Sequence, residues 1–181
     1  MKIQYASDLH LEFSQNKKFL QSNPLIPTGD ILLLAGDIVP FGGIEKHFDF
    51  FSYIADHFDT TYWIPGNHEY YHYDLANKCG VLHEAIRTNV FLVNNINLTI
   101  NHVRIIFSTM WSKITIAHHY AIEHGMNDFR LITYKDRRFS ALDFNRLHEE
   151  SLLFIREALE TKVSEPTIVV THHVPTFMNY P

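Results

Sequence analysis

The chain has 181 residues, 46% of them hydrophobic and 14% aromatic, with a formal net charge of −5. That length suits one domain with a substantial buried core, and the negative balance excludes a general nucleic-acid binder, which needs a basic surface. Cys79 is the only cysteine, so no intramolecular disulfide can form and a reducing, cytoplasmic setting is expected. The N-terminus lacks the apolar stretch of a signal peptide, and no run approaches the roughly 18 apolar residues of a membrane span. Thirteen histidines exceed ordinary usage and direct attention to ligands and acids.

Residues 2–6 alternate and predict a first strand, which ends at Ser7-Asp8-Leu9-His10. Residues 15–29 read as a polar loop, with Pro24, Pro27 and Gly29 opposing regular structure. Ile31-Leu32-Leu33-Leu34-Ala35 is a continuous apolar run, as expected of a strand covered on both faces, and it stops at Gly36-Asp37. After Gly42-Gly43, the spacing of Ile44, Phe48, Phe51, Ala55 and Phe58 predicts a helix over 44–58. Strand 61–64 follows, broken by Pro65-Gly66 directly before Asn67 and His68.

A second helix is predicted over 74–87, weakened by Gly80. Residues 90–93, 96–100 and 103–107 predict an antiparallel meander with turns at Asn94-Asn95 and Asn101-His102. His118, His119 and His124 fit a pocket lining near Trp111 and a solvated helix equally well, while Asn127-Asp128-Phe129-Arg130 reads as a loop. Ser140 is a good N-cap with Asp143 in the first turn, and Phe144, Leu147, Ser151, Phe154 and Ala158 mark one face of a long helix to Leu159. Thr167-Ile168-Val169-Val170 is a last strand, ending in Thr171-His172-His173-Val174-Pro175. There is no internal repeat.

Four predicted strands thus end in Asp8/His10, Asp37, Asn67/His68 and His172/His173. In open α/β sheets ligands bind past the carboxyl ends of the strands. Each motif alone is common by chance; their joint order is not. Oxygen donors mixed with imidazoles suit Mn²⁺, Fe or Zn²⁺ better than Ca²⁺ or Mg²⁺.

Asp-Leu-His, Gly-Asp-Ile-Val, Gly-Asn-His-Glu and Thr-His-His-Val-Pro together resemble the successive signatures of the calcineurin-like metallophosphoesterase superfamily, from Met1 to Pro175. The resemblance implies an α/β fold, a four-layer αββα sandwich of the metallo-dependent phosphatase type. It implies hydrolysis of a phosphate mono- or diester by a metal-activated water at a dinuclear site. Asp8 and His10 would hold one divalent ion, Asp37 would bridge, and Asn67 and His172 would hold the second. His68 would act on the leaving group as the catalytic residue, with His173 structural or substrate-facing. Tyr70, Tyr71, His72, Trp111, Asn127 and Arg130 are pocket candidates. The expected substrate is a phosphorylated small molecule or nucleotide.

Two departures from the pattern carry expectations of their own. Many family members place an acid three residues after the bridging Asp to orient the catalytic His; here Pro40 stands there, so His68 is expected to lack that partner unless Glu69 or another acid substitutes. The family's closing Gly-His-x-His is absent. Residues 1–181 are therefore expected to form a single, truncated phosphoesterase domain, incomplete at its C-terminus. An exposed sheet edge would then favour self-association. The competing expectations are a non-catalytic or weakly metal-binding fragment and a His-rich metal-storage module.

Overall fold

A computed structural model of the protein describes residues 1–176 and Met178. In chain order its main elements are β1 (Ile3–Ala6), α1 (Ser14–Ser22), β2 (Ile31–Ala35), α2 (Phe48–His57), β3 (Thr60–Ile64), β4 (Leu82–Arg87), β5 (Val90–Asn94), β6 (Ile96–Ile100) and β7 (Val103–Ser108). There follow α3 (His119–Gly125), α4 (Asp128–Leu131), β8 (Thr133–Tyr134), β9 (Arg137–Arg138), α5 (Ala141–Glu160) and β10 (Thr167–Thr171).

Two sheets face each other. The five-stranded sheet runs β1-β2-β3-β5-β4, and the three-stranded sheet runs β10-β7-β6. Strands β1, β2, β3 and β5 are parallel, with Ile3 opposite Ile31 and Ile31 opposite Thr60; β4 joins antiparallel to β5. Because successive strand residues point to opposite faces, β2 divides its run between two cores. Ile31 and Leu33 meet Ile105, Phe107 and Val170 of the other sheet. Leu32 and Leu34 pack outward with Trp63 against Phe51 and Ile54 of α2. Beyond the second sheet, Ile106 and Met110 lie against Ile155 and Ala158 of α5. The order is helix, sheet, sheet, helix: the expected four layers. Each fully buried Leu, Ile or Phe contributes roughly 1.5–3 kcal/mol before entropy.

Several local expectations are corrected. The polar loop expected over 15–29 contains α1, none of whose nine residues is buried; without an apolar stripe it carries no periodic signal, and Pro24 and Pro27 only follow its end. The helix expected over 44–58 is α-helical only from Phe48, after a 3-10 stretch, Phe41–His47, kinked at Gly43. The helix expected over 74–87 is not one. A 3-10 turn, Leu75–Lys78, is capped by Asp74, Gly80 takes φ +74°, and Leu82–Arg87 becomes the edge strand β4. Pairing with β5 overrides local helical preference.

The meander is likewise split. Of its three strands, β6 and β7 pair as a hairpin, whereas β5 belongs to the first sheet. The chain changes sheets at Asn94-Asn95, where Asn95 is left-handed at φ 48°. Asn94 holds that corner by donating to Gly80 O (2.6 Å) and accepting from Thr109 N (2.9 Å). Residues 128–131 form the single helical turn α4 rather than a loop. The long helix forms as expected, with Ser140 and Asp143 making a reciprocal capping box.

Candidate active site

Parallel β1, β2 and β3 deliver their C-terminal loops to one edge of the sheet, and β10 brings a fourth loop from the second sheet. The β1–β2 pairing continues beyond the strands: Asp8 N donates to Gly36 O (3.0 Å), His10 N to Asp37 O (2.9 Å) and Leu11 N to Ile38 O (2.9 Å). Asp8, His10 and Asp37 all have positive φ, at 56°, 46° and 56°. Such backbone costs of order 1–3 kcal/mol per residue and clusters at functional sites.

Two glycines let the loops approach. A Cβ on Gly66 would lie 2.2 Å from Asp37 Oδ1, and one on Gly36 would lie 2.5 Å from His172 Nδ1. Beneath them Glu69, fully buried, ties the loops together. Its Oε2 accepts from Asp37 N (2.9 Å) and Gly66 N (2.7 Å), and its Oε1 from Ile38 N (2.7 Å) and Trp63 Nε1 (3.1 Å). Burial and the charge of Asp37 push this carboxyl up, against the pull of the backbone donors. Four N–H donors and no acceptor around it match the carboxylate form.

All five expected ligands converge. Asp37 turns one oxygen to each side: Oδ2 lies 3.7 Å from His10 Nε2, and Oδ1 lies 3.5 Å from His172 Nε2. Asp8 Oδ1 is 3.9 Å from His10 Nε2, and Asn67 Oδ1 is 3.2 Å from His172 Nε2. His68 closes the rim, its backbone N donating to Asp37 Oδ1 (3.0 Å) and its ring stacked on Tyr71 with centroids 4.1 Å apart.

The profile of the calcineurin-like phosphoesterase family matches residues 1–181. The chain belongs to that family. An uncharacterized protein of Acanthamoeba polyphaga mimivirus is 32% identical over 199 residues, covering 97% of this chain and 68% of that protein. Among solved structures, a phosphopantetheinyl hydrolase from Mycobacterium tuberculosis superposes with a TM-score of 0.68 at 19% identity, over 98% of this chain and 70% of that one. That likeness confirms the metallo-dependent phosphatase fold.

Membership of the calcineurin-like phosphoesterases implies divalent metal ions, and the donors here fit them. His172 Nδ1 is 2.9 Å from Ala35 O, a pure acceptor, so Nδ1 carries the hydrogen and Nε2 turns a lone pair to Asn67 and Asp37. His10 Nδ1 likewise faces Glu12 Oε1 at 3.2 Å, leaving its Nε2 lone pair toward Asp8 and Asp37. Each imidazole therefore confronts oxygen acceptors with no hydrogen between them, an arrangement that a cation resolves. The amide of Asn67 has only one orientation: its Nδ2 donates to Asp128 Oδ1 at 2.9 Å, so its oxygen must face His172.

Glu12 and Asp128 escaped the sequence analysis. Glu12 continues the alternation Asp8-x-His10-x-Glu12, a signal that was available. Asp128, only 2% exposed, accepts from Asn67 and from Tyr71 OH (2.8 Å), and nothing local marks it. Glu69 does not orient His68; Glu12 does, at 3.0 Å from Nδ1. Burial disfavours the charged form of His68, but the Glu12 bond and the charges of Asp37, Glu12 and Asp128 outweigh it and raise its pKa.

The remaining candidates lie apart. Tyr70 and Trp111 are core residues, and His72, Asn127 and Arg130 are exposed. His173 packs against Trp111 and Phe144, with burial and His172 pushing its pKa down to about 3. His118, His119 and His124 bond locally, to Thr115, Ile114 and Tyr120, on and around α3. A cavity of about 320 Å³ between α1 and α2, lined by Leu11, Leu20, Phe50 and Tyr53, contains none of the donors.

Proposed function

We propose that the protein is a dinuclear metal-dependent hydrolase of phosphate mono- or diesters, acting on a phosphorylated small molecule or nucleotide. The observation carrying this is the facing of two imidazole lone pairs toward opposite oxygens of Asp37. Asp8, His10 and Asp37 would hold one ion, and Asp37, Asn67 and His172 the other, Mn²⁺, Fe and Zn²⁺ all suiting this donor set. When bound, such ions polarise phosphoryl oxygens and acidify a water enough to serve as nucleophile at neutral pH.

The chain's own residues do the rest. His68, with its raised pKa, stays protonated further into the neutral range and donates to the leaving oxygen. Glu12 and the stacked Tyr71 hold that ring in place. Positive-φ backbone and Glu69 fix the loops before substrate arrives, so that little reorganisation accompanies the reaction.

Turnover of an aryl phosphate or bis-aryl phosphate after Mn²⁺ loading is the direct test. Asp37→Asn should abolish turnover and His68→Ala should lower kcat by ~10²–10⁴-fold. A folded protein that loads no metal and turns over nothing would leave the second reading, a non-catalytic or weakly metal-binding protein, which the three-donor sets favour. A single free thiol, Cys79, supports a cytoplasmic setting as part of the same proposal, and among the described residues no helix is long and apolar enough to cross a membrane.

A further inference from the structure

One oxygen of Glu12 serves two rings. Oε1 is 3.2 Å from His10 Nδ1 and 3.0 Å from His68 Nδ1, and the rings meet edge to face with centroids 4.4 Å apart. The other oxygen, Oε2, is buried without a hydrogen-bond partner among the described residues. A carboxylate only accepts, so both Nδ1 atoms carry hydrogen in either charge state, and in the neutral rings both Nε2 atoms keep a lone pair. His10 belongs to the proposed cation pocket and His68 to the leaving-group side. Both rings are thus held by one carboxylate, in the loop between β1 and α1.

We propose that Glu12 is a positioning residue that sets the tautomer and orientation of His68 and, by sharing one oxygen, couples His68 to cation binding at His10. A cation drawn to His10 Nε2 strengthens the Nδ1–H donor of the same ring. That donor competes with His68 for Oε1, so binding at one imidazole is felt at the other. The consequence for turnover rests on the phosphoesterase proposal; the tautomer and the coupling do not.

Two-bond ¹H–¹⁵N correlation of the imidazoles in the full chain, at a pH where the ring is neutral, reads the tautomer directly, with His68→Ala assigning the signals. Nδ1–H is expected for His68 in the wild type, giving way to Nε2–H or a mixture in Glu12→Ala. Added Zn²⁺ should move the His68 ring signals in the wild type and leave them still in Glu12→Ala at equal ion load. Calorimetric Zn²⁺ affinity should fall ~10–100-fold at one site. Glu12→Gln, which keeps the volume and one neutral acceptor, should fall between the two. An unchanged His68 tautomer in both variants, or equal Zn²⁺ responses, overturns the proposal. In turnover at saturating metal, Glu12→Ala combined with His68→Ala should cost no more in kcat than His68→Ala alone. If no phosphate ester is turned over while the tautomer still follows Glu12, the phosphoesterase reading fails and the role of Glu12 stands.

Discussion

At the scale of single residues, the site depends on groups that never touch a cation. Asp128 accepts from the Asn67 amide nitrogen and so decides which end of that amide faces His172. Asp128→Asn lets the amide invert, and one of two bound ions should be held ~10–100-fold more weakly, with the melting temperature nearly unchanged. Calorimetric titration with Mn²⁺ against the wild type checks this, and equal affinities would count against the assignment. Glu69→Gln is the opposite case. It puts an amide NH₂ among four N–H donors, so roughly 3 kcal/mol or more of stability should be lost, as charge-assisted bonds go and buried donors are left unpaired. Urea unfolding measures that loss. Gly66→Ala should abolish metal loading, because its Cβ would have to share the space of Asp37 Oδ1.

Among the elements, α5 shows how charge and capping cooperate. Ser140 and Asp143 cap it reciprocally, and Ser140→Ala should cost ~1 kcal/mol. Burial raises the Asp143 carboxyl, but Arg137 and Ser140 bond it and the net shift is downward. A carboxyl depressed on folding adds stability above its unfolded pKa, ~3.9, and loses it as pH falls through the lower folded value. Asp143→Asn should therefore melt below the wild type at pH 7, the gap narrowing as pH drops under ~4. Thermal melts at several pH values check it; a constant gap would assign the effect to capping alone. Strand β4 makes a different point. Its residues alternate in burial only because β5 lies beside them, and the same stretch read alone favours a helix.

Taken as a whole, the molecule stacks two sheets between helices, and among the described residues the three-stranded sheet ends at β10, whose Val169 is 40% exposed. We propose that this edge mediates self-association, since an unpaired edge strand with exposed apolar residues templates pairing with another copy. Light scattering after size-exclusion should show a mass that rises with protein concentration, and Val169→Lys should suppress the rise. A monomer at every concentration would reject it.

What the sequence determined by itself was the family and the placement of the candidate donors along the chain: Asp8, His10, Asp37, Asn67 and His172 each follow a strand, and buried parallel strands are apolar runs that stand out without context. Strands β1, β2, β3, β5, β6, β7 and β10 and the capped helix α5 were legible too, from apolar or alternating runs and from Ser140 with Asp143. Tertiary structure alone decided the rest. It placed β5 and β6 in different sheets, turned residues 82–87 into a strand, and drew Glu12 and Asp128 to the rim. Those outcomes depend on partners far apart in the chain, and no local pattern encodes a contact between Asn67 and Asp128 across 61 positions.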